Sequence, residues 1–234
     1  MKLARKLAPA YALVIVIFLL TGIIGDKAIT VLAQSSPIVR GNIFVIDAGH
    51  GGIDGGATSC TGVPESQLNL EIALRLNDLM RLLGHETVMI RSTDKSVYTS
   101  GNTIAAQKVS DLKQRVKIVN SIDHGVLISI HQNIFPDGRY SGAQVFYARD
   151  DKSREVAAEL QTALVSNLNP CSQRKSKRAD GIYLMEHITQ PGVLIECGFL
   201  SNIDEEAKIR SKEYQQKLCV VIAATLSLHF REGE

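Results

Sequence analysis

Residues 44–50 read Phe-Val-Ile-Asp-Ala-Gly-His, a short apolar run that ends, across one glycine, in an imidazole. Two other runs are built the same way. Residues 126–131, VLISIH, close on His131, and residues 193–196, VLIE, close on Glu196. All three are rich in Val and Ile and bounded by Gly, Pro or polar residues, the pattern of a buried strand. Strands alternating with helical stretches form a mostly parallel sheet, and ligands of open α/β sheets bind beyond the carboxyl ends of the strands. His50, His131 and Glu196, far apart in sequence, are thereby expected along one edge of one sheet. That is the layout of a metal-dependent hydrolase.

The rest of the chain supplies the alternation. Residues 65–84 carry Leu68, Ile72, Leu76, Leu79 and Leu83 on a helical stripe, with Gly84 placed to end it. Residues 85–92 read as a second strand and 95–110 as a polar connection. A helix is expected from Asp111, as its cap, to Ser121. Residues 142–149 suit a strand near a sheet edge, 151–168 a helix, and 169–180 a basic loop. Residues 181–185, GIYLM, read as a further strand, and 204–230 as one long closing helix. The expectation is an α/β fold, its mostly parallel or mixed central sheet flanked by helices, in a single catalytic domain over 43–231 behind a linker at 34–42.

Lys2, Arg5 and Lys6 precede a stretch that carries no charge until Asp26. A basic start followed by an apolar run is an export signal. Residues 1–33 therefore read as a signal peptide, with VLA-Q at 31–34 as the cleavage site, or as an uncleaved membrane anchor. Either delivers the domain outside the cytoplasmic membrane, because the positive end stays inside. A net charge of +2 gives no strong field for nucleic acid. No Trp and 5% aromatics argue against a binder that stacks single strands. Cys60, Cys171, Cys197 and Cys219 show no C-x-x-C spacing, which excludes a zinc ribbon or a redox pair.

His50 lies in a glycine-rich loop, Glu65 opens the first helix after Pro64, and His131 ends its strand. Two imidazoles and a carboxylate, with water in the fourth position, are a zinc hydrolase set. One Zn2+ per chain would lower the pKa of its water to roughly 7 and polarise a carbonyl. Glu196 is placed as the general acid/base. Taken singly, a strand-end His is ordinarily structural and a Glu after an apolar strand ordinarily meets an Arg. Spacing alone does not identify zinc. The glycine loop is not a phosphate cradle, since no G-K-[ST] follows it.

Four strings in order, VIDAGHGGIDGGA (45–57), PESQLNLEIA (64–73), SIHQN (129–133) and PGVLIECGFLSN (191–202), together resemble the zinc-dependent N-acetylmuramoyl-L-alanine amidases of the amidase_3 class. The resemblance covers about Ile43 to Phe230. It implies His50, Glu65 and His131 as zinc ligands, Glu196 as the catalytic residue, and cleavage of the amide between the lactyl group of muramic acid and L-alanine in peptidoglycan. Arg115 matches an arginine usual in the family's second helix, for substrate contact or for an ion pair. Asn133 and Gln144 are candidates to touch glycan or peptide. Asp47 is a candidate to orient an imidazole, or else to serve a turn. The basic residues Arg174, Lys175, Lys177 and Arg178 either meet stem-peptide carboxylates or are merely solvated.

Two residues depart from the family pattern. Gln132 stands where Ala is common and is expected to narrow the cleft, and Cys197 replaces a small residue. Cys60 is conceivable as a fourth ligand. A bare catalytic unit behind one apolar segment resembles the spore-cortex amidases of the CwlD type, which help make muramic-δ-lactam. The alternatives are a vegetative cell-wall amidase, a peptidoglycan-binding protein with little activity without an activating protein partner, and a thiol hydrolase using Cys197.

Overall fold

A computed structural model describes residues 41–231. The signal or anchor expected over 1–33, and residues 34–40 of the expected linker, lie outside the described residues. Six strands and six helices follow in the order β1 (Ile43–Ala48), α1 (Glu65–Leu82), β2 (Glu86–Met89), α2 (Ile104–Asn120), β3 (Gly125–Asn133), β4 (Gln144–Tyr147), α3 (Asp151–Leu168), β5 (Lys177–Arg178), α4 (Tyr183–His187), β6 (Gly192–Phe199), α5 (Ile203–Arg210) and α6 (Lys212–His229), among the described residues. One sheet holds them in the order β2-β1-β3-β6-β4-β5. β2, β1, β3 and β6 run parallel, and β4 returns antiparallel to β6, so the sheet is mixed.

Helices cover both faces, which is why the central strands are apolar without alternation. Phe44, Ile46, Val126, Ile128, Val193 and Ile195 face the larger core under α1, α3 and α6. Val45, Leu127 and Leu194 face a smaller core with Val119 of α2 and with Leu184 and Met185 of α4. Each such side chain, fully buried, contributes about 1.5–3 kcal/mol. On the smaller-core face the chemistry changes toward the carboxyl edge. Val45 gives way to Asp47, Leu127 to Ser129 and His131, and Leu194 to Glu196. The period of two places all four polar residues on that one face.

Five local expectations are corrected. α2 begins at Ile104, where the Thr103 side chain accepts from Ala106 N. Asp111 is interior to that helix, and its carboxylate serves Val97 N and Arg115 instead. Residues 183–187 are helical, not a strand; periodicity does not separate short apolar runs into helix and strand. The closing helix is two helices, because Ser211 leaves helical geometry and its hydroxyl accepts from Tyr214 N, starting α6 afresh. Leu83 is 40% exposed, and Ala73 and Met80 take its place in the core. Residues 177–178, expected in a loop, pair with β4 as a short parallel strand. No helix of the described residues is long and apolar enough to cross a membrane.

Candidate active site

His50 is reached by a strained turn. Its φ of 60° lies in the left-handed region that few side-chain-bearing residues adopt. Two buried arginines pin the loop. Arg115 of α2 donates to His50 O (2.7 Å), Ala48 O (3.0 Å), Asp111 (2.6 Å) and the Asp47 carboxylate. Arg91, just past β2, donates to Ala48 O (2.7 Å), Gly49 O (3.0 Å) and Ser66 O (2.8 Å). Gly49 is required by proximity: a Cβ there would stand 2.2 Å from His131 Nε2.

Glu65 is the hub. Its Oε2 lies 3.3 Å from His50 Nε2 and accepts from Ala57 N at 3.0 Å. Its Oε1 lies 3.0 Å from His131 Nδ1 and accepts from Gln132 N and from Asn69 Nδ2, both at 3.1 Å. The donor atoms of His50, Glu65 and His131 all lie within 4.8 Å of one another. His50 Nδ1 meets Asp54 at 2.8 Å, and Asp54 meets Lys108 at 2.7 Å. A histidine that ligates through one nitrogen ordinarily gives the other to such a carboxylate. Two nitrogens and one oxygen, with His50 held in this way, fit a zinc-type ion.

The electrostatics agree with that fit. Burial opposes charge on His50, but the carboxylates of Glu65 and Asp54 outweigh it and raise its pKa to about 9. Burial likewise opposes the Glu65 carboxylate, yet His131 and His50 hold it far below the usual range. The site therefore favours positive charge at its centre. Glu196 sits opposite His131 in the sheet register. Burial pushes its pKa up to about 7, the nearby His131 pulling down and Glu65 pushing up. Its Oε2 is buried with no hydrogen-bond partner. It is thus a carboxyl poised to hold or release a proton near neutrality. A groove of about 380 Å³, bordered by Lys108, Leu112, Tyr183 and Leu194, opens onto His50 and His131.

The weaker candidates fare unevenly. Asp47 accepts from Arg115 and Ser129, not from an imidazole, so it acts on the His50 loop through Arg115. Arg115 is 2% exposed and donates to Asp111, Asp47, Ala48 O and His50 O, so it holds the loop that carries His50. Gln144 is also buried, and its amide donates to Gln161 and to Lys175 O. Asn133, half-buried just past the bulge between β3 and β6, keeps access to the open edge. Gln132 points to the opposite face and donates to Asn69, so it does not narrow the cleft. Arg174 lies over the Phe199 ring, 4.9 Å from its centroid. Arg178 pairs with Asp180, while Lys175 and Lys177 are exposed.

All four cysteines are free. Cys60 is exposed and outside the donor cluster. Cys197 is fully buried, and burial raises its thiol well above the ordinary value, which removes the thiol-hydrolase reading. Sequence reasoning missed Asp54, Asn69 and Arg91. Asp54 and Asn69 each follow a donor by four residues, and Arg91 is a charged residue at a strand end, so each carried a signal.

Two imidazoles, a carboxylate between them and a buried glutamate, at the open carboxyl edge of an α/β fold, are the layout of a hydrolase with a candidate metal site. The chain belongs to the N-acetylmuramoyl-L-alanine amidase family Amidase_3, whose model matches residues 44–227. It is an enzyme with that amidase activity on peptidoglycan. It is 39% identical over 196 residues to the germination-specific N-acetylmuramoyl-L-alanine amidase of Bacillus subtilis (strain 168), covering 83% of this chain and 82% of the relative. The CwlD amidase of Clostridioides difficile, solved in complex with the GerS lipoprotein, superposes with a TM-score of 0.78 at 34% identity, over 82% of this chain and 99% of that one. A second N-acetylmuramoyl-L-alanine amidase, from Clostridium difficile 630, gives a TM-score of 0.71 at 30% identity, over 83% and 100%.

Proposed function

We propose that the chain hydrolyses the muramoyl-L-alanine amide with one Zn2+ held by His50, Glu65 and His131, outside the cytoplasmic membrane, in maturing spore cortex. The observation that carries the metal reading is the convergence of those three donors within 4.8 Å. When bound, the ion supplies an acidified water and a polarised carbonyl. Glu196 takes the proton of the attacking water and passes it to the departing amine of L-alanine. Its pKa near 7 suits both transfers. Asp54 fixes His50, and Arg115 and Arg91 hold the loop that carries it. Asn133 is the remaining candidate for contact with glycan or peptide.

The cortex assignment, with muramic-δ-lactam as the downstream product, draws on the likeness to the germination-specific and CwlD amidases. The export assignment draws on the basic and apolar residues of 1–33, as signal or anchor. The complex of the CwlD relative with a lipoprotein favours an activating protein partner here too. Purified peptidoglycan is digested by the chain with chelator, with added Zn2+, and with Zn2+ plus candidate partner, and the released ends are identified by mass spectrometry. New lactyl carboxyl and L-alanine amino ends that require Zn2+ support the reading. Undiminished cleavage under chelator overturns it.

A further inference from the structure

Behind the donor cluster, on the face away from the groove, two buried amides form a chain that leads to Glu65. Gln132 Nε2 donates to Asn69 Oδ1 at 3.2 Å. Asn69 Nδ2 donates to Glu65 Oε1 at 3.1 Å and to Gly49 O at 3.2 Å. Gln132 is 3% exposed and Asn69 fully buried. The orientations are forced one by the next. A carboxylate only accepts, so Asn69 must present its NH₂ to Glu65. Its carbonyl then faces Gln132, which must present its own NH₂. Turning Gln132 over would set two carbonyl oxygens against each other. The forced orientation leaves Gln132 Oε1 buried with no partner. An unsatisfied buried acceptor is destabilising, a penalty that a hydrophobic side chain of the same shape would avoid.

We propose that Gln132 is a positioning residue for the metal site, acting through Asn69. It locks the Asn69 amide so that one NH₂ group holds the ligand carboxylate of Glu65 and the backbone of Gly49, which precedes ligand His50. The backbone of Gln132 adds to this, since its N–H also donates to Glu65 Oε1. Two of the three ligands are thus tied to the strand that carries the third, His131. The inference rests on the metal reading of the site. Removing hydrogen bonds that orient metal ligands typically lowers metal affinity about 10-fold to 100-fold.

The test is Zn2+ affinity of the full chain, measured by competition with a chromophoric chelator, for the unaltered protein, Gln132→Met, Asn69→Ala and the double variant. Met fills the Gln132 volume without an amide and relieves the orphaned oxygen, so apo stability is expected to hold or rise while affinity falls at least 10-fold. Because Gln132 acts through Asn69, the double variant is expected to lose no more affinity than Asn69→Ala alone. The d–d spectrum of the Co2+-loaded Gln132→Met protein should shift, as a role in folding alone would not make it do. Should Asn69→Ala fail to fold, the Gln132→Met affinity and spectrum decide. If the unaltered chain binds no stoichiometric Zn2+, the metal reading falls and this inference with it. If it binds and Gln132→Met binds equally tightly, or the two losses add in full, only the positioning role is overturned.

Discussion

Gly49 separates a strand from a ligand, and the space it leaves is occupied by the His131 ring. Its backbone is not among the left-handed glycines, so alanine is allowed there by conformation and refused only by the 2.2 Å approach to Nε2. Gly49→Ala is expected to keep the fold, displace His131, and lower Zn2+ affinity and amidase activity at least 10-fold, read by chelator competition and peptidoglycan digestion. Glu196 makes a prediction with two opposite signs. Its carboxyl must be ionised to accept a proton, so kcat/KM should rise with pH through its ionisation, which a bound dication draws below the value of about 7 that burial sets without metal. Glu196→Gln should abolish turnover. Stability runs the other way. A carboxyl raised from 4.5 to about 7 contributes most below pH 4.5 and loses that contribution as pH climbs through 7. Chelator-treated Glu196→Gln, which cannot ionise, should therefore be more stable than the unaltered apo chain at pH 8 by about 3 kcal/mol, measured by urea titration. The strand-end positions made His50, His131 and Glu196 legible in the sequence. Asp54, Asn69 and Arg91 carried only the fainter signal of spacing or of a strand-end charge, because what they hold is a ring nitrogen, a carboxylate oxygen and backbone carbonyls brought close only by folding.

Among elements, α2 bears on the site through Lys108, which meets Asp54, and above all through Arg115. Arg115 reaches from its middle to β1, to the His50 loop and back to Asp111. Removing it leaves Asp47 ionised, buried and unpaired, the situation in which a broken buried pair costs about 3–5 kcal/mol. Arg115→Met should lose that much by thermal or urea unfolding. Arg115→Lys keeps the charge but not the fork that spans Asp47 and His50 O, so it should lose less stability while still weakening Zn2+ binding. The sequence misplaced the start of this helix for an understandable reason. Asp111 has the side chain of a cap and does accept a backbone N–H, but from Val97 in the preceding loop. The central strands β1, β3 and β6 were legible because both their faces are covered and their runs are apolar up to the carboxyl ends. The break at Ser211 was less so, since the polar residues around it suit a helix and only the hydroxyl bond to Tyr214 N marks a new start.

At the scale of the molecule, the donor cluster draws its three members from three separate elements. His50 comes from the loop after β1, Glu65 from the first turn of α1 and His131 from the end of β3. A cation bound to all three stabilises the folded chain by RT ln(1 + [L]/Kd), about 2.7 kcal/mol at 100 times Kd. For a domain of this size about 1 kcal/mol moves Tm by roughly 2–4 °C, so saturating Zn2+ should raise Tm by roughly 5–10 °C and excess chelator should reverse the shift. The same experiment separates holding the metal from using it. Glu196→Gln should retain the Zn2+-dependent rise while losing amide cleavage, because Glu196 lies outside the donor set. Glu65→Gln should lose both, since it takes the one negative charge from between the imidazoles. A Zn2+-dependent rise that persists in Glu65→Gln would place the ion elsewhere on the chain.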